Sequence, residues 1–204
     1  MILRFLCSTG LVVATIVGSV DSARGGFVYS NGPINGTING IGIGSGLPSP
    51  ISNSFTVGTA TTLSSVSNAG IWVLIGDTPV SIDWAIGTTG GGSEISSGTS
   101  SFSSTFFGTT SFGYDVFDSS FAISGNVDVG TYFLTLSNGF ANSSSTMFWD
   151  INFGPSFLPG GGDSSSFQIN DISAVPEPAT MSLMGLGFAC MALARRRYGK
   201  KPVV

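Results

Sequence analysis

No lysine, arginine or histidine occurs between residues 25 and 194, while the same stretch holds ten carboxylates. A chain segment of this kind cannot pair its charges internally, so any fold it adopts rests on backbone hydrogen bonding and on burial of apolar side chains. The absence also removes whole classes of chemistry. Without cations the segment does not neutralise phosphates, which excludes a nucleic-acid partner. Without histidine it has neither a Ser/His nor a Cys/His nucleophile. Cys7 and Cys190 both lie in the outer segments, so the body has no cysteine for zinc and none for a disulfide.

The apolar residues between the ends come in short runs separated by Gly, Ser, Thr, Asn and Asp, and none keeps a 3.6-residue period for three turns. Several alternate with period two. Ile82, Trp84 and Ile86 fall on one face of a strand, as do Tyr132, Leu134 and Leu136. Ile71 to Ile75 is continuously apolar, the pattern of a strand covered on both faces. Further strands are predicted at 54–57, 61–66, 80–86, 94–97, 102–107, 114–117, 119–123, 131–137, 146–151 and 166–169, with turn chemistry such as Gly76-Asp77-Thr78-Pro79 between them. This spacing predicts an all-β fold, an antiparallel β-sandwich of jelly-roll-like arrangement, over residues 24–170. Residues 36–50 and 159–166 read as Gly/Ser-rich loops, the first flexible or partly strand-forming. The glycines of the first miss the dinucleotide-binding spacing.

The ends have a different character. Arg4 precedes an apolar run from Phe5 to Val20 and then small residues, the layout of a secretory signal peptide over residues 1–23 that signal peptidase would remove. Cleavage after Ser22 puts Val20 and Ser22 at the two small-residue positions, cleavage after Ala23 would place Asp21 where a small apolar residue is wanted, cleavage after Gly25 is also possible, and an uncleaved membrane anchor is the alternative. At the other end a tether over 171–178 finishes in Val175, Pro176, Glu177 and Pro178. The stretch 179–194 that follows is uncharged and predicted to be a transmembrane helix, and Arg195, Arg196 and Arg197 open a basic tail over 195–204. A helix of sixteen residues is about 24 Å long, short against a hydrocarbon core of roughly 30 Å. The arginines serve as a basic stop that keeps the tail in the cytoplasm.

The order Val-Pro-Glu-Pro, apolar helix, Arg-Arg-Arg resembles the PEP-CTERM sorting signal of exported bacterial proteins. That resemblance implies a membrane-embedded exosortase as a transient partner, cleavage near Pro176-Glu177-Pro178, and a host that makes exopolysaccharide. It also implies a membrane-anchored precursor whose body lies outside the cytoplasm, later at the cell surface or extracellular. The alternative is a plain single-span anchor on a proline-rich stalk. The segments 28–36, 76–87, 129–136 and 148–156 also resemble an ectodomain recurrent in PEP-CTERM proteins, which implies one domain and no defined activity.

Within the body the carboxylates are the strongest functional groups. Paired acids could hydrolyse glycosidic bonds, but no paired spacing is visible and turn capping accounts for these positions. Calcium is the metal that oxygen ligands would suit, with Asp115, Asp118 and Asp128 the nearest acids in sequence; no EF-hand spacing occurs and no cofactor is called for. Trp149 beside Asp150, ahead of the turn that Asn152 begins, is the aromatic–acid pair expected at the surface, where it would bind a glycan. Core packing is the competing explanation for the tryptophans. The sequence therefore favours a non-enzymatic exported surface or matrix protein, with a lectin-like, calcium-assisted glycan-binding module as the alternative.

Overall fold

The computed structural model describes residues 26–172 apart from 38, 46–49 and 157–163. The expected signal peptide, sorting motif, transmembrane helix and basic tail lie outside the described residues. Among the described residues every regular element is a strand: β1 (Phe27–Ser30), β2 (Gly40–Gly42), β3 (Ile51–Val57), β4 (Thr61–Leu74), β5 (Pro79–Gly87), β6 (Ser96–Ser101), β7 (Ser103–Thr109), β8 (Tyr114–Val127), β9 (Gly130–Ala141), β10 (Met147–Asp150) and β11 (Gln168–Asp171). No helix among these residues is long and apolar enough to cross a membrane.

The strands form two antiparallel sheets. One runs β3-β9-β5-β6. The other is organised by β4, which pairs along one side with β8, and β8 with β7. Along its other side β4 carries two short strands end to end, β11 opposite residues 63–67 and β10 opposite 71–73. These are flanked in turn by β1 and β2. The chain passes from one sheet to the other at Phe102, which meets Phe121 edge-on at 5.6 Å between ring centroids.

Period-two alternation explains the core. Ile82, Trp84 and Ile86 of β5 and Tyr132, Leu134 and Leu136 of β9 face Leu63, Val66, Ile71 and Val73 of β4 and Phe117, Phe121 and Ile123 of β8. Ile71, Trp72 and Val73 are buried on both faces as expected, whereas Leu74 and Ile75 emerge into solvent. The runs 61–66 and 71–75, predicted as separate strands, are one strand. The polar break between them is an irregularity in the β4–β8 register, accommodated by Asn68 at φ 50°. The runs 114–117 and 119–123 likewise merge into β8. With no cation among the described residues there is no ion pair between their side chains.

Candidate functional site

The site that faces the chain ends is built from strand termini. β3 stops at Val57 beside Gly130, β4 starts at Thr61 beside Val127, and β1 starts at Phe27 beside Asn170. These pairings gather at one pole the place where the chain enters the body and the place where it leaves. The Asp171 N–H donates to Gly26 O and the Ile172 N–H to Thr62 O, each at 2.9 Å. The ordered strand thus reaches Asp171, a residue the sequence assigned to the tether. A cleft of about 280 Å³ at this pole is lined by Phe27, Val28, residues 58–61 and Asp171. Phe27, Val129 and Ile172 are exposed around it. Asp171 Oδ2 accepts from Thr61 Oγ1 at 2.8 Å, while Oδ1 is shielded from solvent and has no donor. Sequence reasoning missed this carboxylate because its neighbours, Thr61 and Gly26, are remote in sequence.

Trp149, Asp150 and Asn152 occupy a different region, and their expected surface exposure is corrected by the structure: Trp149 and Asp150 are both 0 % exposed. Trp149 pairs with Ile71 on the inner face of β10, and its indole N–H donates to Ser166 O at 2.8 Å. Alternation sends Asp150 to the outer face, where the segment after β1 roofs it. Its Oδ2 accepts from Asn35 N–H at 2.7 Å, and its Oδ1 from Gly36 N–H and Trp72 Nε1–H, both at 2.9 Å. Burial pushes the Asp150 carboxyl above the ordinary carboxylate range, and these donors oppose that shift without cancelling it. Asn152 is part-buried. Its amide donates to Pro33 O at 3.1 Å and its carbonyl accepts from Gly154 N–H at 3.0 Å, so it clamps the same roof. All three tryptophans are buried, Trp72 and Trp84 included. The three residues are brought together, but as a structural junction where β10 and β11 meet along β4.

Several of the remaining acids are held by the body's own hydrogen-bond donors. Asp77 is the fullest case: Oδ1 accepts from the N–H groups of Thr78 and Ser143, and Oδ2 from the hydroxyls of Ser143 and Ser144, all within 2.9–3.0 Å. Burial raises its pKa, but these four donors outweigh burial and hold the carboxyl below the ordinary value. Asp115 accepts from Gly76 N–H at 3.0 Å and Thr109 Oγ1 at 2.7 Å, and Asp83 from Asn138 Nδ2 at 2.8 Å. Asp118 is raised by burial. The proposed calcium acids do not converge: Asp115 and Asp118 lie near one end of β8, and Asp128 lies beyond its other end. Among the described residues no three metal-ligating side chains gather.

These observations define an all-β, two-sheet body whose carboxylates serve its own turns and whose two chain ends leave from one pole. The segment beyond Ile172 is matched from residue 174 to 197 by the family model of the PEP-CTERM protein-sorting motif, so the chain carries this sorting signal at its C-terminus. Neither the curated proteins nor the solved structures gave a match to the chain.

Proposed function

We propose that this is an exported, non-enzymatic surface or extracellular-matrix protein. In this reading a signal peptide carries a jelly-roll-like β-sandwich across the membrane, residues 179–194 hold the precursor there, and exosortase cleaves near Pro176-Glu177-Pro178. The body is then released or re-anchored in association with an exopolysaccharide layer. The observation that carries the reading is the sorting motif at 174–197, which joins a Pro-Glu-Pro sequence, an apolar stretch and an arginine cluster in that order.

The pole geometry supports it. Six residues, Ser173 to Pro178, separate the body from the end of the Pro-Glu-Pro motif. Even fully extended they reach about 20 Å. The exit pole therefore faces the membrane closely during processing, and the signal peptide and sorting segment leave the body from that one pole. Glycan binding through aromatic stacking would require side chains other than the three buried tryptophans.

Replacing Pro176, Glu177 and Pro178 together by alanine tests the reading in a host that has exosortase. The variant is expected to stay in the membrane fraction at precursor mass while the wild type matures. An unchanged size and location would refute it.

A further inference from the structure

Asp171 Oδ1 is a carboxylate oxygen closed off from solvent and without a donor, and such an atom is a standing cost to the fold unless something neutralises it. No lysine, arginine or histidine between residues 25 and 194 is available to do so. What lies against it is the start of the body. A Cβ built on Gly26 would stand 2.5 Å from Oδ1, so a side chain at position 26 would have to displace the Asp171 carboxylate, and Gly26 O already accepts the Asp171 N–H.

Immediately before this contact the sequence reads Ala23-Arg24-Gly25, with small side chains spaced as signal peptidase requires for a cut after Gly25. Hydrolysis there breaks the Gly25–Gly26 amide bond. The oxygen of water joins the Gly25 carbonyl to form a carboxylate, and the nitrogen of Gly26 becomes an ammonium group with three N–H donors. We propose that the exported body begins at Gly26 and that its new α-ammonium group pairs with Asp171. Signal-peptide removal then does more than release the chain. It places a cation at the junction of β1 and β11, the strand from which the sorting tether departs. β1 is only four residues long and its ladder partner is β11, so an ion pair at the residue just before it pins the edge of the sheet where the tether is attached. The inference rests on the export reading above.

The titratable side chains of β1, β11 and the 58–61 turn are Asp171 and Tyr29, and β4 contributes none. Tyr29 packs inward against Phe55 and Phe167. Asp128, in the β8–β9 turn, is the other acid at this pole. A favourable carboxylate neighbour raises the pKa of an amine.

The test uses the full chain exported from a bacterial host, with its N-terminus read by intact mass and fragment sequencing. The α-amine is then titrated by NMR through the Gly26 Cα of uniformly ¹³C-labelled protein. The expected N-terminus is Gly26, with a wild-type α-amine pKa about 1 unit or more above the pKa of the same amine in the urea-unfolded protein, and a return to that unfolded value in Asp171→Asn. Asp171→Glu, which displaces the carboxylate by one methylene, should give a smaller shift if the asparagine variant fails to accumulate. A different N-terminus, or a wild-type α-amine that titrates as in the unfolded chain, would overturn the inference and leave the export reading standing. Retention of the signal peptide on a protein that stays in the cytoplasm would overturn the export reading itself.

Discussion

Asp77 and Asp150 are both buried carboxylates in a body without cations, yet their charge states are pushed in opposite directions. Asp77 sits in the turn after β4, where flexible hydroxyls and free turn amides can all point at it. Asp150 ends a strand inside a sheet, where two backbone N–H groups of a crossing segment, one indole and the Ser166 hydroxyl reach it but dehydration still dominates. With no ion pairs on offer and four donors set against each carboxylate, the depth of burial decides whether an acid stabilises this fold as an anion. It also explains why the body is so rich in Ser, Thr and Asn: their hydroxyls and amides take over the role that arginine and lysine play elsewhere.

The comparison is broken most severely by Asp150→Ala. It strands the N–H groups of Asn35 and Gly36 and the indole of Trp72, and it loosens the roof over β10; a loss of roughly 3 kcal/mol is expected in urea melts. A smaller loss, about 2 kcal/mol at neutral pH, is expected for Asp77→Ala, because the turn amides and serine hydroxyls left behind can recover water more easily.

The pH dependence sharpens the contrast. Asp77 has a folded pKa below its unfolded value of about 3.9, so its contribution is present above that value and is lost as pH falls through the folded pKa. The stability gap between wild type and Asp77→Asn should therefore close as pH falls below about 3.9 and through the folded pKa. Asp150 has a raised pKa, so its contribution is fully present below about 3.9 and is lost as pH rises through the folded value. Melts of the Asp77→Asn variant should accordingly show stability falling as pH rises from about 4. A gap that stays constant with pH would show that the four donors on Asp77 do not set its charge state.

The smallest effect is expected at Phe153, an exposed residue held at φ 55° in the turn that Asn152 begins. A left-handed conformation costs an ordinary side chain about 1 kcal/mol, so Phe153→Gly should raise stability by about that amount. A loss on substitution would mean that the ring has a contact that outweighs the strain.

Strand positions that depend on local alternation were legible in the sequence. The inward faces of β5 and β9 follow directly from Ile82, Trp84 and Ile86 and from Tyr132, Leu134 and Leu136. What depends on distant partners was not. The expected strands 61–66 and 71–75 leave residues 67–70 between them, yet a left-handed Asn68 carries β4 through because β8 pairs on both sides of the irregularity. β1 and β2 are only four and three residues long, and they exist because β11 and β10 offer them edges. Asp150 looked like a surface acid because alternation points it outward, and only the return of residues 35 and 36, more than a hundred positions earlier in the chain, encloses it. The sorting signal was legible because its parts are contiguous and its meaning does not depend on the fold.

The C-terminal signal, and not a property of the body, is expected to determine where the protein goes. This is tested most directly by the intact mass and cell fraction of the wild-type chain in paired hosts with and without exosortase. The account predicts a mature protein ending near Pro176-Glu177-Pro178 in the first host and an uncut, membrane-bound precursor in the second. The same mass in the same fraction from both hosts would contradict it.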